Sequence, residues 1–121
     1  MLKFKKSVRI KTYSLPVKEI LDSLFLIDGT GSPDLPEDIW ITSINDSRHS
    51  SNSRHYTDEA IDVRSKNFRS RQAKRDFRSQ LEIQLNMRYG FLVYRVLLEK
   101  LGKKNEHFHV QVRKGTKHPS A

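Results

Sequence analysis

Apolar and polar positions alternate along residues 2–12, with Leu2, Phe4, Val8 and Ile10 on one parity and Lys3, Lys5, Arg9 and Lys11 on the other. That is the period of a half-buried strand, and its lysines suit an edge. Ser14-Leu15-Pro16 then offers an N-cap and a first-turn proline, and Ile20, Leu21, Leu24 and Phe25 recur at helical spacing, predicting a helix over about 16–26. Asp28-Gly29-Thr30-Gly31-Ser32-Pro33 reads as a plain turn, because no strand-to-helix junction or lysine follows in the place a phosphate-binding loop requires. A short strand is expected at 40–44, and the polar run 45–53 that follows cannot build a core. A second short strand, 60–63, precedes a helix over 66–84, whose face is Ala73, Phe77 and Leu81 with Phe68 opening it. Asn86-Met87-Arg88-Tyr89-Gly90 reads as the break. Residues 91–98 are apolar on both parities and predict a central strand, while 102–105 is a turn into a last strand at 106–112. The tail 113–121 is expected to fray. The pattern predicts an α+β fold, a small antiparallel sheet with two main helices.

With 121 residues and 36% apolar content, residues 1–121 are expected to form a single domain around one modest core. Zero cysteines exclude disulfides and thiolate metal sites, so a metal would depend on His and carboxylate. No stretch approaches the length of a membrane span. The basic start, Met1 to Lys6, leads into no apolar run of the kind a signal peptide needs, so synthesis in the cytoplasm is expected. The net charge of +9 predicts an anionic partner: nucleic acid, anionic lipid or the charged polymers of a bacterial envelope. Seven Lys or Arg (Arg64, Lys66, Arg69, Arg71, Lys74, Arg75, Arg78) against the one acid Asp76 concentrate it on the second helix. A monomer is expected.

Candidate chemistry gathers in two stretches. His55 and Asp62 stand seven positions apart, close enough for a turn to bring imidazole and carboxylate to one point. Asp62 interrupts the apolar run Ala60-Ile61-Asp62-Val63, where an unpaired carboxylate would be costly, so a partner is required. On the last strand His107 and His109 share a face with Gln111, while Phe108, Val110 and Val112 point to the core. His55, Asp62 and His109 make an N, N, O ligand set that leaves a tetrahedral zinc one open position, the arrangement of catalytic sites.

Ser53-x-His55-x6-Asp62 followed by His107-x-His109 resembles the zinc peptidases that include D-Ala-D-Ala carboxypeptidases, phage L-alanyl-D-glutamate endopeptidases and the zinc-containing signalling domain of Hedgehog. The resemblance covers roughly residues 41–112. It implies the Hedgehog/DD-peptidase fold, one zinc per chain on His55, Asp62 and His109, Glu106 as general base, and His107 in the site without ligating. The activity implied is hydrolysis of peptidoglycan stem or cross-link peptides by metal-activated water, after release from the cell or as part of a virion. Arg48 and Ser53 are the substrate-binding candidates, Arg48 for a carboxylate and Ser53 for holding the turn or a ligand. Regular strand alternation competes with this assignment at one point. It places His107 with His109 and sends Glu106 to the opposite face unless the turn at 102–105 releases it. Two other readings remain: a basic nucleic-acid-binding module using the second helix, and a zinc-containing virion or assembly protein without catalysis.

Overall fold

The structure is a computed structural model that describes residues 1–10, 14–44, 60–90 and 92–113. Its elements are β1 (Leu2–Phe4), α1 (Leu15–Asp28), β2 (Ile39–Ile44), β3 (Ala60–Arg64), α2 (Arg71–Tyr89), β4 (Tyr94–Glu99) and β5 (His107–Val112). They build an α+β layer pair, a five-stranded sheet in the order β1-β2-β3-β5-β4 with both helices packed on one side. The sheet is mixed and not purely antiparallel, because β1 runs parallel to β2. The long first strand contracts to three residues, pairing Leu2 with Ile39 and Phe4 with Ile41.

One apolar face explains the register. Ile39, Ile41, Ile61, Val63, Phe108, Val110 and Val96 are buried against Val17, Ile20, Leu24 and Ile27 of α1 and Ala73, Phe77, Leu81 and Leu85 of α2. A bulge between Ile41 and Ser43 re-phases β2, so that Ile44 faces the core although it lies three residues on. Phe68, Phe77 and Phe108 close the centre with ring centroids 5.0, 5.2 and 4.9 Å apart. Phe25, assigned from the pattern to the apolar face of α1, is exposed.

Helix limits follow their caps. Ser14 accepts from the Val17 N–H at the start of α1, and Ser70 accepts from the Ala73 N–H at the start of α2. The second helix therefore begins five residues after the predicted 66 and continues to Tyr89, through the stretch read as its break, before Gly90 ends it at φ 138°. Asn86 stays helical because its amide serves β4: it donates to the Tyr94 carbonyl (3.1 Å) and accepts from the Tyr94 N–H (2.8 Å).

The apolar strand expected at the centre is at the edge. Its free backbone edge is covered by α2. Glu82 accepts from the Val96 N–H at 3.0 Å, Arg78 donates to the Val96 carbonyl at 3.1 Å, and Asn86 takes both groups of Tyr94. Arg78, Glu82 and Asn86 are spaced i, i+4, i+8 and form one stripe on the helix. Central strands have both edges satisfied by neighbours; here side chains of a helix do that work, which is how a strand so apolar tolerates the outermost position.

Candidate metal centre

Because β3 and β5 alternate, what their core residues leave behind faces the other way. With Ile61 and Val63 buried, Asp62 and Arg64 stand on the open face; with Phe108 and Val110 buried, so do His107, His109 and Gln111. No described element covers this face. The antiparallel register sets Asp62 directly across from His109, and Arg64 directly across from His107. On the far side of β5, the edge strand sets Glu99 across from His107.

The side chains meet. His109 Nδ1 lies 2.7 Å from Asp62 Oδ1, and its Nε2 lies 2.8 Å from Gln111 Oε1. His107 Nδ1 lies 2.8 Å from the Asn105 carbonyl oxygen and Nε2 lies 3.1 Å from Glu99 Oε1, with Asp62 Oδ1 at 4.0 Å. Asp62, His107 and His109 each offer one ligand atom, and these lie within 4.8 Å of one another. Asp62, required by the sequence to have a partner, has His109, and its carboxylate is 27% exposed and so part-solvated. The hydrogen bond to Asp62 is the largest influence on His109 and raises its pKa above 6.5; burial pulls it down, and the charge of Asp62, Gln111 and the charge of Glu99 push it up further.

A carboxylate and two imidazoles are a donor set for zinc and other borderline divalent metals. Two ligand atoms each 2.0–2.1 Å from a tetrahedral ion are about 3.3 Å apart. Asp62 and His109 need to separate by less than about 1 Å to meet that spacing, so the residues fit the ion. They sit on adjacent strands of a paired sheet, a rigid mount for ligands.

Glu106, the general base that the resemblance implies, stands apart from the cluster. Its parity is that of Phe108 and Val110, and it lies beneath the sheet edge, 6% exposed, away from the cluster. The Ser65 hydroxyl donates to Oε1 at 2.6 Å, Lys74 Nζ donates to the same oxygen at 2.7 Å, and the Gly102 N–H donates to Oε2 at 2.9 Å. Burial would raise its pKa, but the bonds from Gly102, Lys74 and Ser65 and the Lys74 charge outweigh that and hold it at about 2. A carboxylate so engaged is a poor proton acceptor. The turn does not release Glu106 from strand alternation; Glu106 instead pins the turn, and His107 is the group on the open face.

Arg48, Ser53 and His55 lie outside the described residues. The chain positions that flank them, Ile44 and Ala60, belong to neighbouring strands, with Asp62 two residues into β3. Two residues of the face carried no signal in the initial pattern. Glu99 could have been found by folding the hairpin about its turn, which sets it opposite His107. Arg64 belongs to the basic run 64–78, yet its guanidinium lies over the Trp40 ring, 5.4 Å from the centroid, beside the cluster. The rest of that run is largely engaged within the fold: Lys66 with the Lys104 carbonyl, Arg69 with Asp34, Lys74 with Glu106 and Arg78 with Glu82.

No family model, no curated protein and no solved structure matches this chain. Among the described residues, no helix is long and apolar enough to cross a membrane.

Proposed function

We propose that this chain is a zinc-dependent peptidase that cleaves stem or cross-link peptides of peptidoglycan. What supports the reading is the meeting of Asp62 and His109 across β3 and β5, with His107 beside them on an uncovered face. In this reading His55, Asp62 and His109 hold one zinc, and the protein acts on the wall after release or within a virion.

Bound zinc supplies a Lewis acid that polarises the scissile carbonyl and lets water react near neutral pH. The chain's own groups do the rest. Gln111, at Nε2, keeps the His109 ring fixed, and Asp62 contributes the charge that favours a cation. His107 handles protons in place of Glu106 and donates to the oxygen that gains charge as the carbonyl is attacked. Arg64, anchored on Trp40 and making no hydrogen bond or ion pair among the described residues, offers a fork for an anionic group of the substrate, alongside Arg48 and Ser53. The +9 charge concentrates the protein at anionic wall polymers.

The test is hydrolysis of purified peptidoglycan by the zinc-loaded protein and by His107→Ala at matched zinc content. The expected outcome is release of peptide fragments by the parent and a loss of about 10²–10⁴-fold in the variant. Zinc binding without any turnover in the parent would assign the chain to a non-catalytic assembly role instead.

A further inference from the structure

Histidine rings on an open sheet face are free to turn about two torsions unless both nitrogens are held. At His107 each ring nitrogen faces an oxygen. Nδ1 meets the Asn105 carbonyl at 2.8 Å and Nε2 meets Glu99 Oε1 at 3.1 Å. The first contact comes from the turn between β4 and β5, and that turn is itself fixed from below, where Glu106 accepts from the Gly102 N–H and is tied to α2 through Lys74. The second contact comes from the last residue of the edge strand, placed directly opposite by the hairpin register. Glu99 is followed by Lys100 at φ 57°, where the chain leaves the strand, so its position is set by the turn as well as by the ladder.

We propose that Glu99 is a positioning residue for His107: together with the Asn105 carbonyl it fixes the plane of the imidazole and holds Nε2 at the rim of the space beside Asp62 and His109, 4.0 Å from Asp62 Oδ1. The inference rests on the peptidase reading for its catalytic consequence, and on geometry alone for its structural one. Glu99 suits the task for three reasons. Its carboxylate is 41% exposed, so placing it beside the ring carries little desolvation cost. Among the described residues it and Asp62 are the carboxylates that lie against the two imidazoles. It makes no hydrogen bond to Asp62 or His109, so removing it leaves those two metal donors in place. Carboxylates that orient a metal-ligating imidazole are worth about 10–100-fold when lost, and a loss at the lower end of that scale is expected for an imidazole beside the metal.

The experiment compares Glu99→Ala and Glu99→Gln with the parent, reading zinc content, kcat and KM on a muropeptide, and the ¹⁵N shifts of the His107 ring. Gln keeps an oxygen where Oε1 stands; Ala keeps none. The expected result is unchanged zinc in both variants, kcat lowered at least about tenfold in Glu99→Ala with KM nearly constant, and recovery of most of that loss in Glu99→Gln. The ring shifts of His107 should move in Glu99→Ala and stay close to the parent in Glu99→Gln. Parent-like kcat in Glu99→Ala, or loss of zinc in either variant, overturns the proposal. If the parent itself shows no hydrolysis, the peptidase reading fails separately, and the ring shifts decide: movement confined to Glu99→Ala supports the positioning, and unmoved shifts overturn it.

Discussion

A carboxylate that accepts from Ser65, Lys74 and the Gly102 N–H while almost fully buried holds a fixed charge, and removing that charge strands its donors. Glu106→Gln should therefore destabilise the protein by about 3 kcal/mol, chiefly by leaving Lys74 without its counter-charge, measured by chemical denaturation. The pH dependence has a definite sign. With a folded pKa of about 2 against an ordinary 4.5, the Glu106 contribution is complete above about 4.5 and is lost as pH falls toward 2. His109 works in the opposite sense. Its pKa is raised, so in metal-free protein its contribution is complete below 6.5 and fades as pH rises through the higher folded value. Zinc needs the neutral ring, so added zinc should raise the melting temperature more at pH 8 than at pH 6. At this scale the pairing need of Asp62 and the common face of His107 and His109 were legible, because they follow from local alternation. The fate of Glu106 was legible only as an alternative, since its partners Ser65 and Lys74 lie 41 and 32 residues away in sequence.

The helices and the β4–β5 hairpin could be read from periodicity, caps and turn residues, with errors at the ends. The place of β4 could not. Apolarity on both parities signals burial, and a strand can be buried by a neighbouring strand or by a helix lying along its edge. Here α2 does it with the polar stripe Arg78, Glu82 and Asn86. Glu82→Ala should then cost about 1–3 kcal/mol by leaving the Val96 N–H without an acceptor. Hydrogen exchange at Val96 should accelerate while amides at the centre of β3 stay protected. Equal acceleration everywhere would mean the stripe does not guard this edge in particular. The β2 bulge was also hidden, because one extra residue leaves the composition of a strand unchanged.

For the molecule as a whole, the layer arrangement divides labour. One side of the sheet is apolar and packed; the other is uncovered among the described residues and carries Asp62, His107, His109 and Glu99. The +9 charge is plain from composition, and part of the basic run is engaged inside the fold, Lys74 with Glu106 and Arg78 with Glu82. The remaining exposed cations, Arg71 and Arg75 among them, should still give association with peptidoglycan or other polyanions that weakens steeply with salt. A co-sedimentation series in increasing sodium chloride measures this, and salt-independent binding would point to a different contact. Which anion is bound cannot be read from charge alone, whereas the chemistry of the open face narrows the choice. The measurement that bears most directly on that face is metal content by mass spectrometry, comparing the parent with a variant carrying Asp62→Ala and His109→Ala, with circular dichroism to show that the variant is folded. One zinc per chain in the parent and none in the folded variant is the predicted result; stoichiometric zinc in both would contradict a metal centre at Asp62 and His109.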